Sequence, residues 1–393
     1  MNEKIIKKNS IAIGIMLSSV ILSEYVSFLP KGIIFLIFIP FFYLIFINKH
    51  NLSVKHNSNV IVFLIVMVLF CVWSIFLSGF KSVTIKYVTE FLCLGIPFLL
   101  VSKYHIDAIL VFRTIVVLGT ISIPSQLNRV NIELVNYIDD GEILMQISYN
   151  LLKASIASIL LLAFDRSRIF KLISLLNIWF SFLFLFMVGS RGAALSFLLS
   201  IVLVFLYYRN RIINFFSLKM ILLYSVSFLF LFNIVPVLEY IMFFMYSNDI
   251  KSIGLDRIID SMVNDVELST GRGLILEKAL QGFFDSPLFG NGIGSFDNYS
   301  GKYTHNIVTQ ALYEGGLVFG APIVVLVVYS VIVLNSKMDE ESRWIYIYLI
   351  SSCLIQLMLS SYFWCSSLLW FMFGILLRNM KYKIRLFSCN YVK

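Results

Sequence analysis

Polar residues interrupt this chain so rarely that long apolar runs set its organisation. Ile11 to Phe28, Val60 to Leu77 and Leu195 to Tyr207 are each about as long as a helix needs to cross ~30 Å of hydrocarbon. Such runs predict about 12 spans, an all-α polytopic transmembrane helical bundle. Two stretches depart from the pattern: a medium loop from Ser125 to Ile147 and a long hydrophilic loop from Glu239 to His305. The expected organisation is therefore spans one to nine over 1–238, the large loop over 239–305, and spans ten to twelve with a tail over 306–393. No fixed-period repeat is visible, nor two similar halves of the kind many transporters show.

Composition agrees, with 59% hydrophobic and 13% charged residues against roughly 25% charged in an ordinary soluble domain. The net charge of +9 does not indicate nucleic acid, because the basic residues form no stripe interleaved with aromatics. They collect instead in alternate connections, among them Lys4, Lys7, Lys8, Arg166, Arg168, Arg378 and Lys381. That asymmetry predicts cytoplasmic N- and C-termini and puts the long loop outside. Lys4 to Lys8 could open a secretory signal, but no small-residue cleavage site follows, so the first run is expected to stay as a span. The five cysteines show no CxxC spacing and are read as packing residues.

In the long loop, Leu255, Ile258, Ile259, Met262 and Val263 recur at helical spacing opposite Asp256, Asp260 and Asp265, which predicts an amphipathic helix on the membrane surface. A second helix is expected to start at Ser269 or Thr270, run through Leu274, Leu276, Ala279, Leu280 and Phe283, and stop before Pro287. Arg272 falls in its first turn, where a cation opposes the helix dipole, and that suggests another use such as holding an anion. The run Phe289-Gly290-Asn291-Gly292-Ile293-Gly294 lacks the strand that precedes a nucleotide loop, so its glycines are read as tight turns on the way back to the membrane.

Ionisable groups inside spans are costly and mark function by default. Lys86 and Glu90 lie at i, i+4 spacing in the fourth span, Lys153 near the outer end of the sixth, and Glu314 in the outer half of the tenth. Arg191 sits at the same level in the turn before the eighth span. The alternatives are a self-neutralising Lys86–Glu90 pair and a Lys153 that snorkels to the interface. Arg113 falls toward the inner half of the fifth span and has no assigned role. His305 is the one histidine expected outside, at the start of the tenth span with Glu314 ~13 Å further along, and histidine suits general-base work near neutral pH.

Thr270-Gly271-Arg272-Gly273, Pro287-Leu288-Phe289-Gly290-Asn291-Gly292-Ile293-Gly294 and His305-Asn306 running into Glu314-Gly315-Gly316 and Gly320 together resemble the signature of the O-antigen polymerase and ligase superfamily (Wzy and WaaL type). The resemblance covers roughly residues 270–328. It implies a GT-C-type glycosyltransferase in a bacterial inner membrane that uses an undecaprenyl-diphosphate-linked oligosaccharide donor and acceptor at the periplasmic face, without cofactor or metal. It makes His305 the base on an acceptor hydroxyl, Arg272 a diphosphate ligand and Arg191 a second one. Glu314 or Glu90 would orient the histidine or the acceptor, and Lys86, Lys153 and Asn306 are further candidate substrate contacts. No Asp-x-Asp occurs, and Asp139-Asp140 with Gly141 reads as a solvated turn. The expected activity is repeat-unit polymerisation, possible partners including a chain-length regulator but not nucleic acid. The rivals are a ligase acting on lipid A core and a transporter of lipid-linked oligosaccharide.

Overall fold

The structure is a computed structural model that describes residues 3–19, 21–22, 32–49, 58–135, 141–188, 191–212, 272–334 and 340–384. The described residues are helical, with no strand among them. The helices are α1 (Glu3–Leu17), α2 (Gly32–Ile47), α3 (Ser58–Ser78), α4 (Ser82–Glu90), α5 (Ile96–Val101), α6 (Ala108–Val135), α7 (Gly141–Phe164), α8 (Arg168–Val188) and α9 (Arg191–Ile212). They continue as α10 (Arg272–Asp285), α11 (Ser295–Ser300), α12 (Ile307–Gly315), α13 (Ala321–Val333), α14 (Glu340–Leu349), α15 (Ile355–Leu359) and α16 (Ser367–Ile384). Wide π-type turns join α4 to α5, α12 to α13 and α14 to α15.

Six helical stretches among the described residues are long and apolar enough to cross a membrane: Ser58–Ser78, Ser82–Val101, Ala108–Asn128, Met145–Phe164, Ile307–Val333 and Glu340–Leu359. Shorter apolar helices cover Leu36–Ile47, Gly192–Val204 and Ser367–Met380. The medium loop expected from Ser125 to Ile147 is largely helix, because α6 continues past Pro124 to Val135 and α7 starts at Gly141. No breaker stands between Ser125 and Val135, so the helical hydrogen bonds carry on through a polar stretch. The amphipathic helix expected around 255–263 and the Asp139-Asp140 turn lie outside the described residues.

The chain forms two compact units, Met1–Leu118 with Gly271–Lys393, and Gly119–Thr270. In the second, α7 and α8 pack closely through small and hydroxyl residues. The Ser155 hydroxyl donates to that of Ser181, and Asn177 Nδ2 donates to Thr120 Oγ1 at 2.7 Å. Such contacts let helices approach where lipid supplies no hydrophobic driving force. Ile123, Ile147, Leu151 and Phe184 form an apolar cluster among the described residues of this unit.

In the first unit, a buried aromatic cluster built from Phe91, Phe363, Trp364 and Trp370 holds the wide turn after α4, α16 and the bend before α16 together. Polar ties fix the ends. Arg378 donates to the carbonyls of Ser102 and Lys103 at 3.1 and 3.0 Å, placing a cation where the dipole of α5 favours one. Asp107 accepts from Leu110 N at 3.1 Å and so caps α6.

Candidate functional site

The tenth expected span is not one continuous helix. It runs as α12, breaks at Gly316, which has φ 59 and ψ −152, and resumes through a wide turn into α13. A break at this place frees backbone groups that a lipid environment cannot satisfy. The glycine-rich segment before α11 takes them up. Asn291 N donates to Tyr313 O at 2.9 Å and Gly292 N to Glu314 O at 2.8 Å, while Leu317 N and Val318 N donate to the carbonyls of Pro287 and Leu288, both at 2.9 Å. Asn291 Nδ2 adds a bond to Gly282 O at 2.9 Å. Gly290, Gly292 and Gly294 all have positive φ. A Cβ on Gly290 would strike the Glu314 carbonyl, and one on Gly316 would strike Leu288 and Gly290. These glycines therefore turn the chain, as expected, and they also let two backbones touch.

Glu314 is buried at the centre of this arrangement. Its carboxylate accepts from Gly294 N at 3.1 Å, Gln310 Nε2 at 3.1 Å and Trp364 Nε1 at 2.7 Å. Three donors converging on a buried carboxylate compensate much of its desolvation. The carboxylate ties together the glycine segment, α12 and the bend carrying Trp364, and none of these three donors is His305.

His305 stands one residue before the cap of α12 at φ 58. That left-handed conformation is uncommon for a residue with a side chain, and such outliers cluster at functional sites. Asn306 is the cap: its Oδ1 accepts from Val308 N at 2.9 Å and Thr309 N at 3.3 Å, and its Nδ2 donates to Met358 O at 3.3 Å. Both ends of the carboxamide expected to touch substrate are thus engaged in the fold.

Beside His305 lies a run of aromatic rings for which the sequence held no signal. Tyr303 is 4.1 Å from His305, Tyr362 is 5.9 Å from Tyr303, and Tyr87 stacks on Tyr362 at 4.6 Å, all between centroids. The Tyr87 hydroxyl donates to Asp297 at 2.5 Å and Thr84 to Ile293 O at 2.9 Å, which fastens α11 and the glycine segment to α4. These partners are about two hundred residues apart in sequence, so no local pattern could reveal them.

Lys86 and Glu90 do not form the close ion pair their spacing allows. Lys86 Nζ lies 5.8 and 5.6 Å from the ring centroids of Tyr87 and Tyr362, a cation–π placement. Glu90 Oε1 instead accepts from the Tyr362 hydroxyl at 3.3 Å, and its Oε2 is buried with no hydrogen-bond partner among the described residues. Burial raises the pKa of the Tyr362 phenol well above its ordinary value, so that group stays protonated and donates.

Lys86, Glu90, His305, Asn306 and Glu314, with the backbone of Arg272 at the start of α10, belong to the first unit. Lys153 and Arg191 belong to the second. Lys153 is buried on α7 with Nζ 3.4 Å from Asn150 Oδ1, so it does not snorkel freely. Arg191 opens α9; the side chains of Arg191 and Arg272 lie outside the described residues. No group of three or more His, Cys, Asp or Glu that could hold a metal occurs among the described residues.

A family model described as O-antigen ligase (Wzy_C) matches residues 176–321. The matched region contains Arg191, Arg272, His305 and Glu314 and leaves out Lys86, Glu90 and Lys153. This supports the resemblance to the O-antigen polymerase and ligase superfamily and, with the apolar helices, a membrane enzyme of surface polysaccharide assembly. No curated protein matches the chain.

Proposed function

We propose that this chain is a polysaccharide repeat-unit polymerase, most simply of O-antigen, working on undecaprenyl-diphosphate-linked oligosaccharides at the periplasmic face. The observation that carries the reading is His305, held in a left-handed conformation within the family-matched region with the Tyr303 ring 4.1 Å away. His305 would take the proton from an acceptor hydroxyl as that oxygen attacks the anomeric carbon of the donor from the face opposite the diphosphate. The bond from that carbon to the diphosphate oxygen breaks, the configuration inverts, and undecaprenyl diphosphate leaves.

The leaving group develops negative charge, which guanidinium groups can bind through paired hydrogen bonds. Arg272 has that role in this reading, and Arg191 is the second candidate on the family signature alone. The two carboxylates separate in role. Glu314 is committed to three donors and serves as a positioning residue, whereas Glu90, whose buried Oε2 has no hydrogen-bond partner among the described residues, is the carboxylate that would turn to a sugar hydroxyl. Tyr303, and Tyr362 on the side away from Tyr87, offer ring faces of the kind on which the CH face of a pyranose packs, and Lys86 stands beside Tyr362. In a deletion strain, wild type should restore a ladder of long-chain polysaccharide and His305→Ala should leave only the shortest bands. A full ladder from His305→Ala would rule out this base.

A ligase that moves glycan to lipid A core is the second reading, favoured by the description of the matching family. The deletion phenotype separates the two. Loss of a polymerase leaves core capped with one repeat unit, and loss of a ligase leaves core uncapped.

A further inference from the structure

Helix α10 has three faces. Ile275 and Ala279 pack on Phe296 and Tyr313 and form the side that meets the protein. Next to them, Leu276, Leu280 and Phe284 recur every fourth residue and are exposed, Phe284 at 72%. A third stripe, Glu277, Gln281 and Asp285, is exposed and polar, with Leu274 exposed at its N-terminal end. Two-faced amphipathic helices on a soluble protein turn their apolar stripe inward, but this one turns a second apolar stripe outward next to a polar one. The apolar surface continues past the end of the helix into Leu288 and Phe289, exposed at 58% and 50%.

The backbone sets the depth of this surface. Pro287 and Leu288 accept hydrogen bonds from Leu317 and Val318, which belong to the Ile307–Val333 candidate span. From Leu317 to Val333 is roughly 17 residues, or ~25 Å of helix, so with Val333 at one edge of a ~30 Å hydrocarbon layer Leu317 lies ~5 Å inside the other. Leu288 and Phe289 share that level. Phe289 also lies 6.0 Å from Trp73, which like its neighbour Phe76 is exposed on the α3 span. Tryptophan residues such as Trp73 gather at this level of a bilayer, and helices bearing adjacent apolar and charged stripes lie in it.

We propose that Arg272–Gly294 is a shallow re-entrant element. It leaves the water phase, lies along the margin of the bilayer with Leu276, Leu280, Phe284, Leu288 and Phe289 on lipid acyl chains, and comes back out at α11. The partner is the bulk phospholipid of the leaflet. The element holds Gly294 against Glu314 and begins with Arg272, so the lipid surface itself helps to set the height of the proposed site. The inference rests on helix geometry and hydrogen bonding, independently of the proposed glycosyl transfer.

The test is photocrosslinking of the full chain in vesicles of phosphatidylethanolamine and phosphatidylglycerol, with benzoylphenylalanine placed singly at Phe284, Phe289, Gln281 or Phe76. Each replaced side chain is exposed, so the fold should tolerate the probe; a monodisperse elution profile checks this. Phospholipid adducts are expected from Phe284 and Phe289 at yields within about threefold of those from Phe76, with at least tenfold less from Gln281. Adducts from Phe284 and Phe289 to another peptide of this chain would show that protein covers the stripe and would overturn the proposal. So would the absence of lipid adducts there, or equal yields at Gln281.

Discussion

At Glu90 and Glu314 the same side chain does two different jobs, and the donors around each decide which. Glu314→Ala would leave Gly294 N, Gln310 Nε2 and Trp364 Nε1 facing a void, at roughly 1–3 kcal/mol for each buried donor left unpaired. We expect a large drop in the thermal midpoint and in the yield of monodisperse protein, and a smaller drop for Trp364→Phe. If Glu314→Ala melts like wild type while losing transfer, the carboxylate acts on substrate and not on the fold. Glu90→Gln should do the reverse, lowering transfer by ~10²-fold at nearly constant thermal midpoint, as expected for a group that orients the attacking hydroxyl. Tyr362→Phe removes the donor to Glu90 Oε1 and keeps the ring, and should cost much less than Tyr362→Leu if its ring face is what the acceptor uses. The quantity to follow is the apparent KM for acceptor, with kcat moving less.

Legibility at this scale was uneven. His305 and Arg272 stood out because chemistry-bearing types are rare in such a chain, and Glu314 stood out because a carboxylate in a span is expensive. That Glu314 is a strut was hidden, since Trp364 lies fifty residues away and its indole carries no charge to notice. The i, i+4 spacing of Lys86 and Glu90 suggested an ion pair; both groups instead meet Tyr362 from a distant segment, Lys86 at its ring and Glu90 at its hydroxyl.

Among elements, the broken span is the feature on which the others depend. Helix α10 was legible from its stop before Pro287 and its apolar spacing, and it is found over Arg272–Asp285. The glycine pair at Gly315–Gly316 was visible, but its meaning was not, because the segment that satisfies the break comes from 287–292 through bonds that leave no periodic trace. Gly316→Ala tests this. A methyl group there meets both a left-handed backbone and the carbonyl of Leu288, so we expect several-fold less folded protein, whereas Gly273→Ala, with open space around it, should be neutral to slightly stabilising. Equal yields from the two variants would mean the break is not under that constraint.

For the molecule as a whole, apolar runs predicted an all-helical membrane protein, and the described residues are helical with six candidate spans. Where helices stop was less legible. The extension of α6 to Val135 shows that a polar stretch without a breaker stays helical, since polarity places a segment relative to lipid but does not by itself end its hydrogen bonding. The proposed chemistry uses protein cations at the diphosphate, so polymer formation from purified components should be unchanged by excess EDTA. A more than tenfold loss that added magnesium restores would require a metal in the mechanism.

The backbone at His305 carries one more implication. A side chain held at φ 58 costs of order 1 kcal/mol that glycine or asparagine would not incur. His305→Asn, which keeps a side chain that tolerates this backbone, is therefore expected to be an inactive protein that melts no lower than the wild type. Selection for robust expression or thermal tolerance alone would drift toward that inactive variant, so any campaign to stabilise this protein has to screen for the proposed turnover at every round.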